Sequence, residues 1–284
     1  NFDFLNIILI FGYVLILIFS ILLMLSYNLK KLIVYIVACQ FGILLFVIGI
    51  KAYNAALFYF FTSTISLVII GLGFGIIISK LNNESDIRKM GSLIIKTPSI
   101  FLFILIGFMS LLGMPYFSGF YSNQLLLETF FLIDEKFNFT FLMFFSLYTF
   151  VISYVSLKII IIVFLSRNNC NIHLYNKIKD GSYNIKFILF LLSILLIFSG
   201  WYFNNIFSGS NAENLWRLVL LSKSDFSIKN DFNADVLALE LRNFICFIGM
   251  FLAVFNYIII PKLENNFKLK NNKLFKFYLK LFTF

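Results

Sequence analysis

The sequence contains few charged residues. Only 13% of its 284 residues are Asp, Glu, Lys or Arg, whereas about a quarter is usual for a soluble domain. Hydrophobic residues make up 61% of the chain and aromatic residues 20%. This balance excludes a soluble globular domain. It predicts an all-α polytopic membrane protein, because apolar runs of about 20 residues are long enough to span a bilayer as helices.

The sequence also has few residues that bind metals or form disulfides. Its three cysteines, Cys39, Cys170 and Cys246, are isolated, so neither a disulfide framework nor a zinc site is predicted. The single histidine, His173, stands in a polar loop without a carboxylate or second ligand nearby. No catalytic triad or phosphate-binding loop is visible, and a free-standing enzyme is therefore not predicted.

The apolar runs predict about seven transmembrane segments in three regions. Residues 1–166 form a transmembrane repeat with one interrupted helix, and residues 167–261 form peripheral helices with a polar loop at 205–242. Residues 262–284, in which lysine alternates with apolar residues, form a basic amphipathic segment. The uninterrupted spans are predicted at 5–26, 32–50, 55–79, 139–165, 187–203 and 243–261.

The interrupted helix lies within residues 81–131. Pro115 lacks an N–H and collides with the preceding turn, and Gly113 and Gly119 allow irregular backbone. Lipid cannot hydrogen-bond the freed backbone groups, so a break at membrane depth requires protein or water to satisfy them. Such breaks often mark ion or proton sites in transporters. The alternative interpretation is an ordinary proline kink, or a short turn between two half-length segments.

Basic residues predict the orientation of the chain. The loops that hold Lys30, Lys31, Arg88 and Lys89 are rich in positive charge, which favours the cytoplasmic or matrix side. The loops on the other side, to which Lys51 and the basic residues of 205–242 including Arg242 are assigned, hold at least as many acidic residues. The net charge of +10 is thereby explained by membrane topology, and nucleic-acid binding is not predicted.

Several motifs in order along the chain resemble a known family. They are Asn28-Leu29-Lys30-Lys31 followed by Gln40 and Gly42, Asp86-Ile87-Arg88-Lys89-Met90-Gly91, Gly113-Met114-Pro115, and Gly119-Phe120-Tyr121-Ser122. This combination resembles subunit 5 of NADH dehydrogenase, the distal antiporter-like membrane subunit of respiratory complex I. The resemblance covers the second half of that subunit, so the first half is expected on a companion polypeptide from a split gene, or the chain is a truncated paralogue.

The resemblance implies a function, partners and a location. The chain is expected to take part in proton translocation coupled to quinone reduction in NADH:ubiquinone oxidoreductase, with flavin and iron–sulfur clusters elsewhere in the complex and no redox cofactor of its own. Expected partners are a chain carrying the N-terminal half, the antiporter-like subunit 4 and bilayer lipids. The expected location is the mitochondrial inner membrane, with the N-terminus in the intermembrane space and the Asp86 loop and C-terminus in the matrix. A structural, non-conducting subunit and a cation/proton antiporter subunit remain alternatives.

The resemblance also implies a set of polar residues along a proton path. Two family lysines align with Leu67 and Asn123 and a family histidine aligns with Ser63, so the sequence departs from the family where titration is expected. Lys158 lies within a predicted span, where a charged side chain is costly and is therefore a functional candidate by default. The alternative is that the side chain snorkels, so that its ammonium reaches the nearer interface. The candidates, taken together, are Lys30, Lys31, Gln40, Tyr59, Ser63, Tyr116, Tyr121, Ser122, Asn123, Glu128 and Lys158.

Overall fold

We describe the chain from a computed structural model, which covers residues 2–131, 135–170, 175, 176, 178, 180–207 and 232–259. These residues are helical or in turns and loops, and they contain no β-strand. Six helices are long and apolar enough to cross a membrane. The predicted all-α polytopic fold is therefore confirmed. The helices are α1 (Phe2–Leu25), α2 (Leu29–Gly49), α3 (Tyr53–Lys80), α4 (Pro98–Leu112), α5 (Ser118–Phe131), α6 (Glu135–Ile159), α7 (Tyr183–Phe207) and α8 (Phe232–Val254).

Local signals in the sequence explain where several helices begin. The Asn28 side chain accepts a hydrogen bond from the Lys30 N–H at 3.0 Å and so caps the first turn of α2. Pro98 is the first residue of α4. A backbone N–H at this position would have no acceptor within the helix, so its absence in proline costs no hydrogen bond. The short helices α4 and α5 together form the interrupted segment, which adds a seventh to the six long spans.

The last long helix begins earlier than the sequence predicted. The expected span started at residue 243, after a polar loop at 205–242, but α8 already begins at Phe232. Arg242, assigned from the sequence to that extramembrane loop, instead lies inside the helix and is buried. This assignment of Arg242 was wrong, because scattered charges make the stretch look extramembrane although one of them is directed into the helix bundle.

Glycines let the helices approach one another closely. A Cβ atom on Gly12 of α1 would lie 2.8 Å from the Gly42 carbonyl oxygen of α2. A Cβ on Gly249 of α8 would lie 2.0 Å from the Ser153 hydroxyl of α6. Close contact through small residues is the usual way in which membrane helices associate, because lipid offers no hydrophobic driving force between them.

Two helices end in wider turns that lie next to each other. Helix α6 continues as a π-helix over Ile160–Leu165, and α8 continues as a π-helix over Phe255–Ile259. Between these ends, the Asn256 amide donates to the Tyr154 hydroxyl at 3.2 Å. The Tyr154 hydroxyl in turn donates to that of Tyr257 at 3.4 Å. Side-chain hydrogen bonds thus join the π-helical end of α8 to the last α-helical turns of α6.

The charged loop packs against the turn between α1 and α2. The Leu29 N–H donates to the Ser85 carbonyl at 2.8 Å, and the Ile87 N–H donates to the Tyr27 carbonyl at 3.0 Å. Arg88 pairs with Asp86 at 3.0 Å on the surface. Hydrogen bonding from Arg88 holds the pKa of the Asp86 carboxyl below its ordinary value. Such an exposed pair contributes about 0–1 kcal/mol, so it orders the loop more than it stabilises the fold.

The packing predicts that an added methyl group at Gly119 destabilises the chain. A Cβ there would lie 1.9 Å from the Ser110 carbonyl oxygen, so α5 would have to move away from α4. Gly119→Ala should lower the free energy of unfolding by roughly 1–3 kcal/mol, as overpacking usually does. Gly71→Ala is the matched control, since a Cβ at Gly71 meets nothing within 4 Å. Equal thermal midpoints for the two variants in detergent would contradict the packing at Gly119.

Candidate functional site

The helix break is a capped helix end followed by a new helix. Gly113 adopts the left-handed conformation, with φ of 68° and ψ of 41°. Its N–H donates to the Ser110 carbonyl at 2.9 Å, and the Met114 N–H donates to the Met109 carbonyl at 3.0 Å. This pair of bonds is the Schellman motif, after which Pro115 cannot continue the helix. The segment is therefore two half-length helices joined by a short turn, as one of the alternative interpretations had it, and not one helix kinked at proline.

A buried arginine satisfies the backbone at the break. The Schellman bonds leave the Leu112 carbonyl without an intrahelical partner, and this oxygen accepts a hydrogen bond from Arg242 Nη2. Arg242 is only 3% exposed. A Cβ on Gly113 would lie 2.0 Å from the same Nη2 atom. Gly113 is thus required twice, for its positive φ and for the space that the guanidinium occupies.

The first turns of α5 bring two predicted residues to the break. The Ser122 hydroxyl accepts a hydrogen bond from Thr62 of α3 at 2.9 Å, and both side chains are buried. Asn123 is buried as well, and its Nδ2 atom lies 2.6 Å from the position of a Cβ on Gly113. The amide of Asn123 and the guanidinium of Arg242 therefore face the same glycine.

A chain of three buried polar side chains crosses the bundle. Tyr59 of α3 donates to the Gln40 carbonyl oxygen, and the Gln40 amide of α2 donates to the Tyr148 hydroxyl of α6. All three side chains are buried, and Arg242 interacts electrostatically with both tyrosines. Gln40 thus faces neighbouring helices rather than lipid. Hydroxyl and amide groups in such a chain can both donate and accept hydrogen bonds.

Lys158 lies at another part of the bundle, where the α1 helix ends. Its side chain is fully buried, and Nζ donates to the Met24 and Ser26 carbonyls at 3.0 Å each. The same atom lies 4.0 Å from the centroid of the Tyr27 ring. A cation there satisfies the last carbonyls of α1 and opposes the negative end of its dipole. The Lys158 ammonium therefore lies at the end of α1 next to Tyr27 and Arg88 of the charged loop, where backbone carbonyls bind it.

The remaining predicted residues lie outside the polar chain. Ser63 is buried but donates to the Phe60 carbonyl of its own helix at 3.2 Å. Glu128 is half-buried and accepts from the Gln124 amide one turn earlier at 2.9 Å. Tyr116 is 83% exposed beside the break. Lys30 and Lys31 are exposed at the start of α2, and Tyr121 is half-buried against Phe120.

One family model matches more than half of the chain. Residues 1–153 match the model described as "NADH:quinone oxidoreductase/Mrp antiporter, TM". The chain belongs to this family. The match covers α1 to α5 and most of α6, so it includes the helix break, Gln40, Tyr59 and Tyr148, whereas Lys158 and Arg242 lie beyond it.

Curated relatives carry the name that the motifs indicated. The chain is 31% identical over 246 residues to NADH-ubiquinone oxidoreductase chain 5 of Acanthamoeba castellanii, covering 83% of this chain and 35% of the relative. It is 27% identical over 266 residues to chain 5 of Chondrus crispus, covering 91% of this chain and 39% of the relative. The resemblance to subunit 5 is thereby confirmed. The chain spans only 35% and 39% of the length of these two relatives.

A solved structure supports the same fold for this family member. The Mrp complex from Dietzia sp. contains a chain that superposes with a TM-score of 0.56 at 14% identity, covering 88% of this chain and 49% of that one. Identity this low supports the fold alone. The fold of most of this chain is therefore shared with a protein of distant sequence.

Two polar residues of the site were not predicted from the sequence. Tyr148 lies in a span in which only Lys158 was considered, and Arg242 was assigned to a loop. No local signal marked Arg242, because the run that follows it, from Phe244 to Val254, is apolar on every helical face and so does not show which face is directed into the bundle. Tyr148 carries no signal either, since tyrosine is common throughout this aromatic chain. Among the described residues, no cluster of His, Cys, Asp and Glu is suited to a metal ion.

The polar chain predicts a stability loss for Tyr148→Phe. Removing the hydroxyl leaves the buried Gln40 amide without its acceptor, and an unsatisfied buried donor costs roughly 1–3 kcal/mol. Tyr202→Phe is the matched control because Tyr202 is exposed. Thermal unfolding of the chain in detergent should show a lower midpoint for Tyr148→Phe only. Equal midpoints would contradict a structural role for this hydrogen bond.

Proposed function

We propose that this chain forms part of the proton-translocating membrane arm of an NADH:ubiquinone oxidoreductase. It would take part in proton movement coupled to quinone reduction, while electron transfer through flavin and iron–sulfur clusters takes place in other subunits. The observation that carries the proposal is the buried polar site at the helix break, where Arg242, Asn123 and the Tyr59–Gln40–Tyr148 chain meet inside a membrane bundle. Polar groups at such depth are costly and usually serve function.

The proposal includes partners and a location. A companion chain would supply the part of subunit 5 that this chain does not span, and an antiporter-like neighbour of the subunit 4 type would pack beside it. Bound lipids would cover the apolar outer faces of α1, α7 and α8, which expose many large hydrophobic side chains. We place the assembly in the mitochondrial inner membrane, with the α1 N-terminus in the intermembrane space and the Asp86 loop in the matrix.

We further propose that family lysines are replaced in this chain. The positions aligned with them hold Leu67, which is half-buried, and Asn123, which is buried at the break. Neither side chain binds and releases a proton near neutral pH. Titration would then be supplied by Glu128, by Lys158 or by the companion chain. Of the two residues in this chain, Lys158 is the better candidate because it is fully buried in a span.

A structural, non-conducting subunit is the second candidate function. It is favoured by one observation: the bonds of Lys158 go to the carbonyls at the end of α1, where a lysine can act as a cap alone. A cation/proton antiporter subunit is the third, and the Mrp neighbour does not favour it because the similarity is confined to the fold.

The proposed function predicts a coupling defect in Lys158→Leu. Loss of a buried titratable group should lower the number of protons pumped per NADH oxidised, while NADH oxidation by the assembled complex stays measurable. Glu128→Leu tests the second candidate group in the same assay. Lys89→Leu is the matched control, because Lys89 is exposed and its ion pair within the described residues is with Glu84 at 3.2 Å. Unchanged pumping in both test variants would favour the structural subunit.

The proposed orientation predicts which loop is accessible from the matrix. A cysteine introduced at Glu84 should react with a membrane-impermeant maleimide in vesicles that expose the matrix face, and not in mitoplasts, which expose the other face. Lys51→Cys, on the connection between α2 and α3, should show the opposite pattern because this connection lies at the other end of both helices. Labelling of Glu84→Cys in mitoplasts would refute the orientation.

A further inference from the structure

Arg242 places a positive charge inside an apolar segment of the helix bundle, where a charge is least favourable. It lies in the window Glu240–Ile259, which is long and apolar enough to cross a membrane, and its side chain is 3% exposed. A charged side chain inside a span is costly unless it is paired or lies against a hydrated cavity. The environment of this guanidinium must therefore supply several hydrogen-bond acceptors.

The described residues supply only one of these acceptors. Nη2 donates to the Leu112 carbonyl, whereas Nε and Nη1 are buried without a hydrogen-bond partner in the described part of the chain. The ring of Phe145, whose centroid lies 5.9 Å from Cζ, offers at most a weak cation–π contact. Two nitrogen atoms of a buried cation, which carry three N–H groups between them, thus have no assigned acceptor.

The shape of the guanidinium restricts what these acceptors are. A carboxylate binds an arginine through two N–H groups on one edge of the planar group. Nε and Nη1 do not share an edge, because the side chain itself joins the group between them. One carboxylate therefore cannot satisfy both atoms, and two separate acceptors are needed. Water molecules fit, since each accepts from an N–H and can donate onwards to a neighbouring oxygen.

Further polar groups that would serve as hydrogen-bond partners for such waters lie around the break. The Asn123 amide faces the same glycine as Nη2, and the hydroxyls of Tyr59 and Tyr148 are within electrostatic range of the guanidinium. A buried water needs about two to four polar partners to be stable. Gly113 makes room for the guanidinium itself, because a Cβ there would lie 2.0 Å from Nη2.

We propose that Arg242 is a positioning residue that holds at least two buried water molecules, one at Nε and one at Nη1, beside the helix break. These waters extend the Tyr59–Gln40–Tyr148 chain to the end of α4. Arginine does not lose its proton in proteins, so the charge of this site is permanent. The switching of charge that the proposed function requires must then take place at other groups on the path, and this consequence rests on the proposed function.

A cryo-electron microscopy map of the intact assembly, at a resolution that shows ordered water, tests the site directly. The expected result is separate non-protein density within hydrogen-bond distance of Nε and of Nη1. Side chains of other segments or subunits in contact with both atoms would overturn the proposal, and so would the absence of density at both.

Variants of Arg242 test whether the side chain holds the water. In Arg242→Met both densities should be lost, and in Arg242→Lys at least one should be lost because lysine presents its donors from a single nitrogen. Leu241→Met, an exposed position on the same helix, is the control and should keep both. Densities that persist in Arg242→Met would overturn the proposal. If Arg242→Met does not assemble, the map of Arg242→Lys decides.

A second measurement separates this site from the proposed function. Protons pumped per NADH are measured for the same assembled variants. A ratio lower in Arg242→Met than in Leu241→Met is expected and supports both proposals. Loss of the water densities with an unchanged pumping ratio would support the water site and count against proton movement through this part of the chain.

Discussion

The structure depends on one constraint: a helix that stops inside a membrane leaves backbone carbonyls that lipid cannot hydrogen-bond. At the end of α4, two sets of hydrogen bonds satisfy these carbonyls. The Schellman bonds use the Ser110 and Met109 carbonyls, and Arg242 binds the Leu112 carbonyl from a helix that lies 130 residues later in the chain. The same guanidinium requires a residue without a side chain at Gly113. The break, the glycine and the buried cation therefore form a single structural unit.

Close packing around this unit fixes the polar side chains. Gly119 lets the start of α5 rest on Ser110, and Gly200 of α7 lets the other side of α5 approach, since a Cβ there would lie 2.4 Å from the Ser118 Cα. Helix α5 is thus held between two neighbours with little freedom to slide. Ser122 and Asn123 take their positions from that placement, so the geometry of the site follows from the absence of side chains at neighbouring positions.

Sequence reasoning was most successful where the signal is local. Signals within a few positions of the chain mark the long apolar runs, the Gly113–Pro115 break and the polar residues of α2 and α5. Arg242 and Tyr148 carry no such signal, because their roles arise from contacts with residues 130 and 108 positions away, which no local pattern encodes. The charge of Arg242 favoured the wrong assignment, since a charged residue usually indicates a segment that is exposed to water. Its burial makes sense only once the unsatisfied carbonyl of Leu112 is known.

The π-helical ends of α6 and α8 have a consequence for how these helices tolerate length changes. A π turn holds about one residue more than an α turn, which corresponds to about 100° of rotation around the helix axis. Deleting a single residue within Ile160–Leu165 would let α6 continue as a regular helix and turn everything beyond it to another face. Tyr154 precedes this turn and would keep its position, whereas the hydrogen bond from the Ser166 hydroxyl to the Ile162 carbonyl, at 2.6 Å across the turn, would be lost. The π turn of α8 itself holds Asn256 and Tyr257, so a deletion within Phe255–Ile259 would remove their hydrogen bonds with Tyr154.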